Sequence, residues 1–227
     1  VELLVAAIIG LIGTIVIFQV FAVFEGQKRA TTGAGDAQSN LALAMHAIEH
    51  DARQAGFGIY DATFFGCTIN GLEEIPPGSG GGTAFTQTLV PVSITPGSAT
   101  PDPVSGATPQ PDTLTFFYGS SDLAHFPPKL IVTMGSATAD YRVSNRHGFA
   151  LGDVLVAAEI RLGVPTCTMA QVQGLPSAVG SGDVINHANG QYVVGGITKD
   201  TKYNKSGGLG PNYNFDTTKI FNLGSAL

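Results

Sequence analysis

The chain has no tryptophan, only two cysteines and three methionines in 227 residues, and only 12% of it is charged. Each shortage closes off a function class. Cys67 and Cys167 stand far apart, with no CxxC and no histidine beside either, whereas a metal centre needs more ligands at closer spacing. Eleven Lys and Arg against seventeen Asp and Glu give a net charge of −6, which argues against nucleic acid as a partner, since that ligand selects basic grooves. Lys28-Arg29 is the only adjacent basic pair. The glycine run 80–82 is not followed by Gly-Lys-Ser/Thr, and no serine sits in G-x-S-x-G, so phosphate-loop and nucleophile-elbow signatures are both missing. No internal repeat is present.

What the chain does have is a long apolar opening, VELLVAAIIGLIGTIVIFQVFAVFE, in which Leu3 to Phe24 is interrupted only by Thr14 and Gln19 among polar residues. At about 1.5 Å per residue the run reaches about 33 Å, enough to cross a bilayer core. It is apolar all round, unlike the one-sided stripe of a surface helix. A cleavable secretory peptide would show a basic start, a shorter apolar core and a small-x-small cleavage site. The residue that resists a plain-anchor reading is Glu2, because an ionised carboxylate in a bilayer costs up to about 3 kcal/mol at its centre. Lys28-Arg29 just past the run would mark a cytoplasmic edge. The even pair of cysteines points the other way, to a disulfide in a domain held outside the cytoplasm. Such a bridge closes a loop of about 100 residues, worth about 4–5 kcal/mol on chain entropy. The alternative is two buried free thiols.

After Glu25 the pattern becomes one-sided: Leu41, Met45, Ile48, Ala52 and Ala55 recur at helical spacing, with His46, Glu49, His50, Asp51 and Arg53 between them. The segment 31–35 is expected to loosen or bend this helix without ending it, and Gly56 to stop it. The whole would be a helix of about 80 Å. Runs with strand character follow at 87–95, 113–118, 130–134, 153–157, 168–173 and 191–198, bounded by Gly and Pro clusters. GSGGG (78–82) and TPGSATPDPVSGATPQPD (95–112) read as surface loops, the second a candidate O-glycosylation stretch in an exported protein. The tail 186–227 reads as irregular. The expected fold is α+β: an apolar helix over 1–25, its amphipathic continuation over 26–56 packed on an antiparallel sheet, and a loop-rich β domain over 57–227.

Three short motifs carry chemical alternatives. His46, Glu49 and His50 spell H-x-x-E-H, with both histidines on one helix face at metal-binding spacing, but a third ligand from a later helix is required and the later chain reads as strands. Solvated helix-face histidines are the simpler reading. Asp183, Asn186 and Asn189 before Gly190 faintly resemble a calcium loop, with the wrong spacing for an EF-hand and no bidentate Glu. Asn204-Lys205-Ser206 is a glycosylation sequon. None of these amounts to an active site, so no enzyme activity and no cofactor is expected.

The first fourteen residues, VELLVAAIIGLIGT, resemble the mature N-terminus of type IV pilins and pseudopilins. In that family a basic leader is removed by a prepilin peptidase before an N-methylated residue, an invariant acid follows, and a long apolar helix comes next. The resemblance implies that Glu2 is that acid, and that about three mature residues precede Val1. It further implies that the carboxylate pairs with the N-terminal amine of a neighbouring subunit, as a buried charge in an apolar bundle requires. Leu3, Leu4, Val5, Ile8, Ile9, Leu11, Ile12, Ile15, Phe18, Phe21 and Phe24 would then be core-packing residues of a filament. Many pilins carry a proline near Gln19 where the helix melts on assembly; here Gly10 and Gly13 are the helix-weakening residues, so melting is expected between Gly10 and Gln19. IEHDARQAGF (48–57), FFGC (64–67), GFALGDVLVAAE (148–159), Cys167, AQVQG (170–174) and FNLG (221–224) resemble PilW-type minor pilins.

The implied function is a subunit of a type IV pilus-like filament, in a PilW-like priming or assembly role. Its partners would be other pilin subunits and the inner-membrane assembly machinery. The chain would reside in a bacterial inner membrane before assembly and in a cell-surface filament afterwards. The alternatives are the major repeating subunit, a membrane-anchored binding or adhesion module that never polymerises, and a tethered zinc peptidase.

Overall fold

A computed structural model describes residues 2–97, 110–121, 126–161, 163–177 and 182–225. The chain divides into two compact units, 1–53 and 54–227.

The first unit is a helix, α1 (Glu2–Gln54), which runs unbroken through 53 residues. Leu, Ile, Ala and Val dominate its first half, and charged pairs one turn apart support the rest: Glu25 with Arg29 at 3.5 Å and Glu49 with Arg53 at 2.6 Å. Glu2 in the first turn and Arg53 in the last both complement the helix dipole. Thr14 and Thr31 donate their hydroxyls back to the carbonyls of Leu11 and Gln27 at 2.8 and 3.0 Å, which hides their polarity within the helix. The segment 31–35 stays helical. The chain leaves the helix at Gly56, whose φ of +84° is a conformation that favours glycine. No residue of α1 is buried within its own unit.

The second unit is a β domain. Its strands are β1 (Thr68–Glu73), β2 (Thr83–Thr88), β3 (Val92–Thr95), β4 (Thr113–Phe116), β5 (Tyr141–Val143), β6 (Asp153–Arg161), β7 (Val164–Gln171), β8 (Asp183–Ile185), β9 (Gln191–Val194), β10 (Ile197–Asp200) and β11 (Thr218–Ser225). Five of them form one sheet in the order β11-β6-β7-β1-β2. The rest make three two-stranded ribbons, β3-β4, β5-β8 and β9-β10. The fold is therefore α+β, as expected. The main sheet is mixed rather than wholly antiparallel, because β1 and β7 run parallel, with Ile69 opposite Cys167. Strands so distant in sequence are joined by a crossover, not a hairpin, and nothing forces them to be antiparallel.

The interior strand β6 explains where the core lies. Val154, Val156 and Ala158 point into one cluster with Ile69, Leu89, Met169 and Phe221. Leu155 and Ala157 point into the other, with Tyr141, Val143, Val172, Ile185 and Tyr213. The sheet is thus covered on both faces, which is why β6 reads as a nearly continuous apolar run. Cys67 and Cys167 are fully buried and joined as a disulfide, bridging 100 residues at a Cα separation of 6.0 Å.

Several expected elements are redrawn. The run 87–95 is split between β2 and β3, with Leu89, Val90 and Pro91 between them, since proline has no N–H to give a ladder. The run 130–134 forms no strand; only Leu130 bridges, to Val143, although Leu130 and Met134 are both buried. The run 191–198 is a hairpin, turning at Gly195 and Gly196, which both have positive φ as a tight two-residue turn requires. The tail 186–227 is not irregular; it contains β9, β10 and β11. Most of the loop 95–112 and its glycosylation expectation lie outside the described residues; its base is closed by Asp112, which accepts from the Gly97 N–H at 2.8 Å.

Candidate functional site

The residues singled out for filament assembly all lie on α1. The eleven apolar positions from Leu3 to Phe24 are exposed, from 48% at Ile15 to 88% at Leu3. The helix is long and apolar enough to cross a membrane. Glu2 caps this surface as a carboxylate in the first helical turn; Val1 lies outside the described residues. Gly10 and Gly13 sit inside regular helix, and beyond the adjoining helix backbone a Cβ added at either would meet nothing within 4 Å. Nothing internal to the chain therefore calls for glycine there.

The zinc-like triplet is also on α1. Glu49 is engaged by Arg53, and His50 Nδ1 lies 3.3 Å from Asp51. No group of three or more His, Cys, Asp or Glu able to hold a metal occurs among the described residues. The calcium-like residues do not converge either. Asp183 accepts from the Arg146 backbone N–H at 3.0 Å, and Asn189 donates to Glu74 and to the Asn204 carbonyl at 3.0 and 2.7 Å. Asn186 lies in a backbone bridge with Gly174.

The sequon asparagine turns out to be structural. Asn204 is 2% exposed. Its amide oxygen accepts from the Gln171 N–H at 2.7 Å, and its amide nitrogen donates to the carbonyls of Gln171 and Ala188 at 2.8 and 2.9 Å. The pairing of β1 with β7 ends at Thr168, so the Asn204 amide takes the place of a neighbouring strand for the end of β7. The signal missed in the sequence is an asparagine whose side chain mimics a peptide unit.

Charged groups in the domain are mostly paired. Asp61 is drawn down to a pKa of about 2 by Lys219 and the Thr63 hydroxyl. Burial works to raise the pKa of Glu159, yet hydrogen bonds from Arg161, Asn214 and Thr217 outweigh it and hold the carboxyl below its ordinary value. His187 stacks on Tyr141 at 4.1 Å and bonds the Ala139 carbonyl through Nε2 at 2.9 Å, and burial holds its pKa down. An open cleft of about 570 Å³ lies beside β9 and β10, with Gln171 and Tyr192 in its lining.

Compared with known protein families, curated proteins and solved structures, the chain has no match.

Proposed function

We propose that this chain is a structural subunit of a type IV pilus-like filament, in a PilW-like minor role, and not an enzyme. The observation that carries the reading is an exposed apolar helix with a single carboxylate at its head. Before assembly the helix rests in the inner membrane, and afterwards it lies among like helices in the filament core. Relative to water, burying its surface is worth about 25 cal/mol per Å². Lipid already solvates that surface, so extraction needs an assembly motor and close helix–helix contact. Gly10 and Gly13 suit that contact, because small residues let neighbouring helices approach. Glu2 fixes axial register by pairing with a cationic group of the next subunit. The disulfide-tied β domain forms the exposed surface.

The test is Glu2→Ala in cells, scored for both membrane retention and presence in sheared filaments. A filament subunit should stay in the membrane and vanish from filaments. Unchanged filament levels would overturn the role of the carboxylate, and absence of the wild-type chain from any filament would leave a membrane-anchored module instead. Quantifying the chain against other pilin-like bands separates a minor from a major subunit: traces support the former, dominance the latter.

A further inference from the structure

We propose that the cleft beside β9 and β10 binds a neutral saccharide. At about 570 Å³ it has the size of a small-molecule site, for which about 300–1,000 Å³ is usual. Its floor is fixed. Gln171 is buried, with its amide nitrogen donating to the Gly152 carbonyl at 2.9 Å and to the Tyr192 hydroxyl at 3.3 Å, while its amide oxygen accepts from the Lys202 N–H at 2.7 Å. The Tyr192 ring lies flush on Gly152, where a Cβ would stand 2.7 Å from the ring. Because Tyr192 accepts from Gln171, its own proton remains to be given, and no acceptor for it occurs among the described residues.

The charges in the cleft narrow the ligand. Lys202 is neutralised by Glu73 at 2.8 Å. Asp200 is half-buried, and its carboxylate has no hydrogen-bond or ion-pair partner among the described residues. It is seated against Gly78, where a Cβ would stand 2.7 Å from the carboxyl carbon. Lys199 is exposed and likewise without a partner among the described residues. One acid and one base therefore remain, with no net charge, and a polyanion is not matched. Ile75, 73% exposed, and Pro77 supply an apolar wall. A ligand with adjacent hydroxyls on one side and C–H groups on another fits all of this. Its hydroxyls donate to Asp200 and accept from Tyr192 and Lys199, while its C–H face covers Ile75 and Pro77. The site is independent of α1 and of the filament reading, and it stands or falls by itself.

The test is calorimetric titration of the full chain in a detergent without a sugar headgroup. The probes are lactose, maltose and N,N′-diacetylchitobiose, with glycylglycine as a zwitterion and pyrophosphate as an anion. Saturable binding of at least one disaccharide at millimolar concentration is expected. Asp200→Asn should weaken it about tenfold, the loss of one charge-assisted hydrogen bond. Tyr192→Phe should weaken it by a smaller factor, with the far-ultraviolet dichroism and urea midpoint of both variants close to wild type. No saturable binding of any of the three sugars, equal binding by Asp200→Asn, or preference for glycylglycine or pyrophosphate would each overturn the proposal.

Discussion

Replacing Asn204 should destabilise the β domain by a large share of its stability. The side chain is 2% exposed and makes three hydrogen bonds, one accepted from the Gln171 N–H and two donated to the carbonyls of Gln171 and Ala188. Asn204→Ala leaves one donor and two acceptors without these partners. A buried polar group left unpaired costs about 1–3 kcal/mol, and carbonyls tolerate it better than N–H groups, so about 3–5 kcal/mol is expected in total. Domains of this kind hold only about 5–15 kcal/mol, so the loss is a large share. With a urea dependence of about 2 kcal/mol per molar, the midpoint should fall by about 2 M. The absence of tryptophan leaves tyrosine dichroism as the probe, and Tyr141 and Tyr213 are fully buried reporters.

Asn204→Asp sharpens the test. At neutral pH the carboxylate still accepts from the Gln171 N–H, but its second oxygen faces two carbonyls where an amide had donated. It should be worse than alanine. Burial among acceptors raises the folded pKa of the new carboxyl above its unfolded value of about 3.9. Stability linked to a raised pKa is fully present below the unfolded value and is lost as pH rises through the folded one. The Asp variant should therefore regain ground on the wild type as pH falls from 7 towards 4, while the Ala variant should not. An Ala variant within 1 kcal/mol of wild type, or an Asp variant more stable than Ala at pH 7, would refute the strand-mimic account.

Two further outcomes follow from the same domain. Cys67→Ser with Cys167→Ser frees a loop of 100 residues and should cost about 4–5 kcal/mol on chain entropy, read as a lower urea midpoint that reductant no longer changes. Burial holds His187 below its ordinary pKa of 6.5, against the opposing influence of the Ala139 carbonyl and Asp140. The sign for a depressed value is stability present above 6.5 and lost as pH falls through the folded pKa. His187→Gln should remove that part of the acid slope in chemical denaturation, and an identical slope would refute it.

The helix was legible because its signal is redundant: apolar run, helical spacing and a terminating glycine all agree. The strands at either end of the domain were not. β1 reads TINGLE and β11 reads TKIFNLGS, and in both the Asn and Gly resemble turn residues. In β1, Gly71 lies opposite Phe85, whose ring occupies the space a side chain would need, with a Cβ standing only 2.2 Å from it. In β11, the pairing shifts between Asn222 and Gly224, and Gly224 has a φ of +88°, so this glycine marks a bulge within a continuing strand. Both facts depend on a partner strand far away in sequence. The cleft was illegible for the same reason, since Ile75, Gln171 and Asp200 meet only through the fold. Glu2 and its apolar run needed no such convergence.

That contrast bears on how the two units are stabilised. The β domain has apolar clusters on both sheet faces, a buried disulfide and few charges without partners, so its fold is secured by its own residues. Helix α1 has 53 residues and buries none of them within its own unit. A fully buried Leu, Ile or Phe is worth about 1.5–3 kcal/mol over an exposed one, and the run from Leu3 to Phe24 gains little of this from its own helix. Its surface requires an apolar environment from elsewhere, and two environments qualify. Lipid solvates the run evenly, gives no use to Gly10 or Gly13, and penalises Glu2. Neighbouring helices approach closely at small residues and can carry a cation to the carboxylate. The side chains that separate the two environments are therefore not the eleven apolar ones, which suit both, but Glu2, Gly10 and Gly13. Gly10→Leu with Gly13→Leu keeps the run apolar and so should leave membrane retention intact. If the helix serves a filament, the same change should abolish incorporation as Glu2→Ala does; a double-leucine variant that still enters filaments would show that close approach at these positions is not what assembly uses.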